Sequence, residues 1–334
     1  MNNESVLITG GTGSFGHAFV NQTLEKFNPK RLIIFSRDEM KQWEMAKKYE
    51  KDSRVRFFIG DVRDKERLMR ATVGVDVVIH AAATKIVPTA EYNPFEAIKT
   101  NIIGAMNVVD VCIDNGVKRV VALSTDKASS PINLYGATKL VSDKLFVAGN
   151  NYSGGGPTKF SVVRYGNVMG SRGSVIPFFL SQKGSTSLPI TDPGMTRFMI
   201  TLEQGVELVW TALHEMKGGE IYVKKIPSMK VVDIASTVDP SAKLEIVGIR
   251  PGEKIHEQMI GPEDAVNTYD MGDYYMITPQ GELSGRQEMK KLADKLVPEG
   301  FTYSSENNSD WMSKDELSNW LSENSDGLGR VPLK

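Results

Sequence analysis

Along the first 165 residues, short runs of Val, Ile and Leu alternate with longer stretches in which apolar positions recur every three or four residues. That alternation predicts stacked strand–helix–strand units. The predicted strands are Ser5-Val-Leu-Ile-Thr9, Arg31-Leu-Ile-Ile-Phe35, Val55-Arg-Phe-Phe-Ile59, Val75-Asp-Val-Val-Ile79, Val120-Val-Ala-Leu-Ser124 and Phe160-Ser-Val-Val-Arg164. Nearly unbroken branched runs fit strands covered on both faces, hence a parallel sheet. Right-handed crossovers make such a series an α/β, doubly wound Rossmann-type fold. A helical pattern runs from Pro94 to Asp114.

Beyond residue 165 the rhythm breaks. Residues 166–194 are rich in glycine, proline and hydroxyl side chains, which predicts a loop-rich segment carrying substrate contacts. Later strands are expected at Glu220–Val223 and Leu244–Ile249, with a helix over Val231–Val238. The tail beyond 285 is polar, with a loop at Ser304–Ser309 and a short helix at Lys314–Leu321. The predicted division is a Rossmann domain over 1–165, rejoined by chain around 197–225, a smaller α/β substrate domain over 166–285, and an extension over 286–334.

Composition narrows the class. A hydrophobic share of 40% beside 30 glycines is ordinary for a globular chain of 334 residues. Forty basic against 41 acidic residues leave a net charge of -1, without the basic excess of a nucleic-acid binder. The lone Cys112 has no disulfide partner, and His17, His80, His214 and His256 lack zinc-ligand spacing, so no metal is expected. No apolar run reaches membrane-spanning length, and Met1–Ser5 has no basic leader. The expectation is a cytoplasmic, soluble protein with a small-molecule partner.

The candidate chemistry begins at Thr9-Gly-Gly-Thr-Gly-Ser-Phe-Gly16, which follows the first strand and opens a helix. Gly11, Gly13 and Gly16 fit G-x-G-x-x-G, and Gly10, Gly13 and Gly16 fit G-x-x-G-x-x-G. Such a turn lets backbone approach a pyrophosphate, and the helix N-terminus supplies N–H groups for it. The second strand ends in Ser36-Arg37-Asp38 where an NAD enzyme places an acid for the ribose. Ser36 and Arg37 suit a 2′-phosphate, so NADP is favoured over NAD, while Asp38 remains an alternative ribose ligand. Asp61 after the third strand is placed near an adenine edge, and His80-Ala-Ala-Ala83 offers small side chains where the cofactor crosses the sheet.

Tyr135 and Lys139 are four residues apart on a predicted helix, so they share one face. A neighbouring cation favours tyrosinate, which suits Tyr135 to take a proton. With the glycine turn, this pair makes residues 1 to about 260 resemble the extended short-chain dehydrogenase/reductase superfamily. There Ser or Thr holds the reacting sugar hydroxyl, a position that maps to Thr125. Asp126 and Lys127 beside it are more than an oxidoreductase needs, and they suit the acid–base work of a dehydratase.

The runs Ser124–Lys139, Arg164–Asn167, Gly170–Val175, Met195–Phe198 and Gly248–Lys254, with Tyr303–Asn308 and Trp311 in the tail, are similar to the inverting UDP-N-acetylglucosamine 4,6-dehydratases of the pseudaminic acid type. Retaining relatives carry Thr-Asp-Glu where this chain has Thr125-Asp126-Lys127. A related capsule-sugar group carries Met in place of Tyr135. The resemblance implies that Asp126 protonates the departing C6 hydroxyl, that Lys127 takes the C5 proton, and that Tyr135 with Lys139 drives C4 oxidation. Return of a proton to C5 from the other face is open between Tyr135 and Lys127.

The same resemblance maps cofactor contacts to Gly10, Thr12, Gly13, Ser14, Phe15, Gly16, Ser36, Arg37, Asp38, Lys41, Asp61, Val62, Ala81, Ala82, Ala83, Asn101, Lys139 and Val168. It maps the UDP-sugar to Lys85, Asn167, Arg172, Arg197, Arg250 and Glu253. A tightly held NADP regenerated at each turnover and a homo-oligomer, a hexamer, are further implications. The chain departs from the family pattern at Thr84 and Ile86 and at Ser129-Ser130, where Ala-Asn is usual. Two rival readings are a UDP-sugar 4-epimerase, which needs only Thr125, Tyr135 and Lys139, and a non-enzymatic NADP-sensing regulator, which has no use for the Tyr/Lys pair.

Overall fold

The computed structural model describes residues 1–279 and 292–324. The boundary expected near 285, the start of the extension, and its last ten residues lie outside them.

The six predicted strands form with ends shifted by at most two residues: β1 (Ser5–Thr9), β2 (Arg31–Ser36), β3 (Val55–Ile59), β4 (Val77–His80), β5 (Arg119–Leu123) and β6 (Lys159–Arg164). Leu7, Ile8, Leu32, Ile34, Val77, Ile79, Val120 and Val162 are buried, as continuous branched runs between two helix layers require. The remaining strands are β7 (Asn167–Val168), β8 (Ser187–Ile190), β9 (Thr196–Ile200), β10 (Ile221–Lys224), β11 (Ser228–Lys230), β12 (Lys243–Ile246), β13 (Gln258–Ile260), β14 (Thr268–Asp270), β15 (Tyr274–Ile277) and β16 (Tyr303–Ser304).

Nine strands make one sheet in the order β14-β15-β10-β6-β5-β4-β1-β2-β3. From β3 to β10 every pairing is parallel, and β15 and β14 add an antiparallel edge. The order reverses between β1 and β4, and at such a switch point the carboxyl ends of the strands leave a crevice for a ligand. The sheet therefore takes β10, β14 and β15 from chain beyond 166, so residues 268–277 lie with the larger sheet and not with the smaller lobe.

Helix Ser14–Lys26 starts directly from the glycine turn. A side chain at Gly16 would put its Cβ 2.1 Å from the Gly11 carbonyl oxygen, so only glycine allows the helix to approach the turn this closely. Gly10 holds φ +66°, with its missing Cβ 2.8 Å from the Ala82 backbone. The predicted helix from Pro94 to Asp114 is present, but its middle, Lys99–Ile103, widens to a π-turn. Such widenings recur at functional sites. Here the turn seats Asn101 so that its amide accepts from Thr84 N–H at 2.8 Å and donates to Thr84 O and Thr138 Oγ1 at 2.9 Å. Asn101 thereby ties the loop after β4 to the helix Leu134–Tyr152.

The smaller lobe has its own core, in which Ile176, Phe179, Leu188, Ile190, Met229, Ile234 and Leu317 pack together. The segment read as loop contains the helix Val175–Ser181 and strands β7 and β8. Strand β9 joins the two cores: its alternation sends Phe198 and Ile200 into the large cluster and Met199 into the small one. The tail loop expected from Ser304 begins one residue later, because Tyr303–Ser304 pairs with β13, and the last helix runs Lys314–Glu323.

Ser130 carries a left-handed backbone, φ +44°, at a position where the resemblance noted above implies Asn. That conformation costs an ordinary side chain roughly 1–2 kcal/mol and an Asn less. Ser130→Asn is therefore expected to stabilise the fold by about 0.5–1 kcal/mol in chemical denaturation; an unchanged or lower midpoint contradicts this account of the turn.

Candidate active site

A cavity of about 900 Å³ opens along the carboxyl ends of β1, β4 and β5. Its floor is the glycine turn, with Gly10, Thr12, Gly13, Ser14, Phe15 and Gly16 all on the wall. Thr9 Oγ1 accepts the Ala81 and Ala82 N–H groups at 3.2 Å and meets His80 Nδ1 at 2.9 Å, which fixes the Ala81-Ala82-Ala83 path over the sheet. Burial pushes His80 down to about 3, with Lys139 adding to the effect, so its ring is neutral.

At one end lie Ser36, Arg37, Asp38, Lys41, Asp61 and Val62. Ser36 Oγ bonds Thr12 Oγ1 at 2.8 Å. Asp38 caps the helix Glu39–Lys48 and gives both oxygens to Lys41, at 3.0 Å to its N–H and 2.8 Å to its Nζ. Its carboxylate is thus committed locally. Burial works to raise the Asp61 carboxyl, but hydrogen bonds from Arg63 outweigh it and hold it below its usual range. Arg37 stands mostly in solvent, 3.6 Å from Asp61. The glycine cradle fits a nicotinamide dinucleotide, with this polar end beside it.

The reactive cluster sits on the opposite wall. Strand β5 ends at Leu123, and the turn Asp126–Ala128 follows, capped by Thr125. The helix Leu134–Tyr152 comes against this turn at Gly136, where a Cβ would stand 2.2 Å from the Lys127 carbonyl oxygen. That approach brings Tyr135 to within hydrogen-bond reach of Thr125. Burial pushes Tyr135 up to about 12, with Lys127 and the Thr125 hydrogen bond opposing it. Lys127 is thus a cation acting on Tyr135, and Lys139 lines the same wall. Lys139 Nζ donates to Leu123 O at 2.7 Å, and burial lowers its pKa.

Asp126 is fully buried. Its Oδ1 accepts from Thr125 Oγ1 and Lys127 Nζ, both at 3.0 Å, and its Oδ2 has no partner. Burial raises its pKa, more than Lys127 lowers it. Lys127 Nζ also meets Glu257 Oε1 at 2.9 Å. Burial works to lower the Lys127 pKa, but the two carboxylates outweigh it, so the group is an ammonium at rest.

Lys85, Arg172 and Arg250 are exposed cations at the mouth, and Val168 and Asn167 line the wall beside them. Lys85, although open to solvent, lies among enough protein that desolvation lowers its pKa. The buried Asn167 Oδ1 has no partner, which leaves an acceptor for a ligand. Three mapped residues lie off the wall. Asn101 is the tie described above. Arg197 is buried and spends its guanidinium on the Thr196, Lys254 and Ile255 carbonyls, while Glu253 is its neighbour at 3.7 Å. Sequence reasoning missed His17, Tyr165 and Ser174 on the wall, and Glu257 behind it. No motif in the sequence marks Glu257, which opens the polar–apolar run Glu257-Gln-Met-Ile260.

An open crevice at a switch point, a glycine cradle and a Tyr/Lys pair define a nucleotide-dependent short-chain dehydrogenase/reductase fold. The polysaccharide biosynthesis protein family matches residues 6–279, and the chain belongs to that family. It is 55% identical, over 95% of its length and 96% of the relative's, to a UDP-N-acetylglucosamine 4,6-dehydratase (inverting) of Campylobacter jejuni. It is 43% identical to a UDP-glucose 4-epimerase of Rickettsia canadensis, over 83% of this chain and 84% of the other. The X-ray structure of Pen from Bacillus thuringiensis superposes with a TM-score of 0.86 at 36% identity, covering 96% and 99% of the two chains. The dTDP-glucose 4,6-dehydratase DesIV of Streptomyces venezuelae, solved with NAD, shares the fold at a TM-score of 0.71, 22% identity, and 99% and 100% coverage.

Gly16→Ala forces its Cβ into the turn, an overpacking worth about 1–3 kcal/mol, so dinucleotide affinity is expected to fall roughly tenfold to a hundredfold in a fluorescence titration. Unchanged affinity contradicts the cradle.

Proposed function

We propose that the chain is an inverting UDP-N-acetylglucosamine 4,6-dehydratase, acting with bound NADP at the first step of pseudaminic acid biosynthesis. The carrying observation is the 3.0 Å contact between Asp126 and Lys127 on the cavity wall, beside Thr125 and Tyr135. An epimerase needs no second acid and base there. The Campylobacter relative supports the same reading.

A dinucleotide held along Gly10–Gly16 and the Ala81-Ala82-Ala83 path would supply the hydride acceptor for C4 of the hexose and the hydride donor for C6. Thr125 holds the C4 hydroxyl and Tyr135 takes its proton, helped by the Lys127 charge that already opposes the upward shift of the phenol. The resulting 4-ketone acidifies the C5 proton. Lys127 becomes a base by handing one proton from Nζ to Asp126 Oδ1: one N–H bond breaks and one O–H bond forms, so acid and base arise together. Lys127 then takes the C5 proton, and Asp126 gives its own to the C6 hydroxyl, which leaves as water. Lys127 and Tyr135 are the two acids facing the cavity for proton return to C5, which yields the 4-keto-6-deoxy-L-arabino sugar.

Lys85, Arg172 and Arg250 suit the diphosphate and Asn167 the sugar. For the nucleotide cofactor, NADP is supported by Arg37 and Lys41 beside Ser36 and by the commitment of Asp38 to Lys41. A homo-oligomer, a hexamer by family resemblance, is supported by Tyr92 and Phe95, which are 87% and 75% exposed. The Rickettsia relatives favour a second reading, UDP-sugar 4-epimerase.

Incubation with UDP-N-acetylglucosamine in deuterated water separates the two. The expected NMR product has a C6 methyl, deuterium at C5 and inverted C5 geometry; an intact hydroxymethyl with inverted C4 supports the epimerase. Loss of one charge-assisted phosphate contact is worth about 1.5–3 kcal/mol, so Arg37→Ala is expected to weaken NADP roughly tenfold to a hundredfold and to leave NAD nearly unchanged. Equal losses argue against 2′-phosphate recognition.

A further inference from the structure

The Lys127 ammonium is held from two sides, and only Asp126 belongs to the acid–base pair just described. The other carboxylate, Glu257, comes from the N-terminal flank of β13, more than a hundred residues away in the chain. It is almost wholly buried, its Oε1 is 2.9 Å from Lys127 Nζ, and its Oε2 has no hydrogen-bond partner.

Its backbone is fixed from both directions by the tail. Ser305 N–H donates to Glu257 O at 2.7 Å, and Glu257 N–H donates to Ser305 Oγ at 2.9 Å. Ser305 Oγ in turn bonds Thr196 Oγ1 at 2.7 Å. Tyr303 OH donates to Ile226 O at 3.0 Å and Asn308 Nδ2 donates to the same oxygen at 2.8 Å, so the tail run is anchored independently. The Tyr303–Asn308 motif thus ends on one side chain that touches the reactive lysine.

We propose that Glu257 is a positioning residue that keeps the Asp126–Lys127 pair carrying one proton, and that the C-terminal run through Ser305 exists to hold it there. The inference rests on the dehydratase reading for its purpose. Asp126 works as an acid only while that proton is present, and a second negative charge beside Lys127 makes the proton harder to lose. The groups facing Lys127 are Asp126 and Glu257 as anions, Arg197 and Lys254 as cations, and the Tyr135 phenol. Against its burial, Lys127 first, then Arg197, whose Nε is 3.8 Å from Glu257 Oε1, and Lys254, whose Nζ is bonded to Ser129 O, hold Glu257 ionised.

Removing the Glu257 charge makes protons leave both Lys127 and Asp126 more easily. In Glu257→Gln both limbs of the kcat pH profile are therefore expected to move to lower pH, the alkaline limb by one unit or more. KM is expected to change little. Glu257→Asp keeps the charge and is expected to restore the limbs at reduced kcat. A merely structural role lowers kcat or stability without moving the limbs, and that outcome overturns the proposal.

A substrate-free readout separates this inference from the assigned reaction. Acetic anhydride acylates a lysine as its free amine and not as its ammonium, so the pH at which Lys127 of the dinucleotide-bound enzyme becomes labelled, read by mass spectrometry at that residue, reports its proton. Labelling is expected to begin at least one pH unit lower in Glu257→Gln than in wild type, and an identical onset overturns the proposal even if dehydration is confirmed. Should Glu257→Gln fail to fold, Ser305→Ala, which removes only the oxygen accepting Glu257 N–H, carries the same comparison. A smaller shift in the same direction is expected, and no shift overturns the role of the tail.

Discussion

Lys127 is an ammonium on the cavity wall, 23% exposed, held between two carboxylates, one fully and one almost fully buried. Desolvating such ions costs several kcal/mol each, and the cost is recovered only when every partner is held in good geometry. Much of the molecule supplies that geometry. Strand β5 delivers Asp126, whose N–H donates to Tyr165 O at 3.2 Å beyond the end of β6. Flanking β13 and pinned by Ser305, Glu257 completes the set. Arg197, buried on β9, lends positive charge through Glu257. A second buried pair, Arg164 with Asp143 at 3.2 Å, ties β6 to the helix that carries Tyr135 and, through Arg164 Nη1 to Met259 O, to β13 itself.

The same cluster explains how the two lobes cooperate. The larger sheet provides the cradle, the Tyr/Lys face and, in the loop after β4, Lys85. Later chain provides Glu257, Arg197 and the other two cations at the mouth, Arg172 and Arg250. A sugar nucleotide bound across the mouth therefore meets groups from both lobes. Among the described residues the acid, Asp126, forms an ion pair with Lys127 alone. Glu257 has Arg197 and Lys254 nearby and stays ionised. Two carboxylates around one lysine are thus pushed apart in role by their surroundings, which is how paired groups divide acid and charge-holding work.

What was legible in the sequence follows the strength of local signals. Val/Ile runs such as Leu32–Phe35 must be buried on both faces, so β1 to β6 emerge with nearly correct ends. The glycine turn is legible because only glycine fits at Gly16, and Tyr135 with Lys139 because a helix forces four-residue neighbours together. Strands β7 and β8 were hidden because two- to four-residue strands among Gly and Ser carry too little periodicity. The resemblance maps Arg197 to the UDP-sugar, whereas the backbone carbonyls of 196, 254 and 255 take up its guanidinium, a packing no sequence motif reveals. Glu257 was missed because its partner is brought to it by tertiary packing that no spacing reveals.

The most direct test of the central claim, that Lys127 performs the step after C4 oxidation, is the near-ultraviolet absorbance of enzyme-bound reduced nicotinamide when Lys127→Ala is mixed with UDP-N-acetylglucosamine. The account predicts that the reduced band appears and persists, because oxidation proceeds on Tyr135 while elimination has no base. Full product formation at the wild-type rate, with no persistent band, would contradict it.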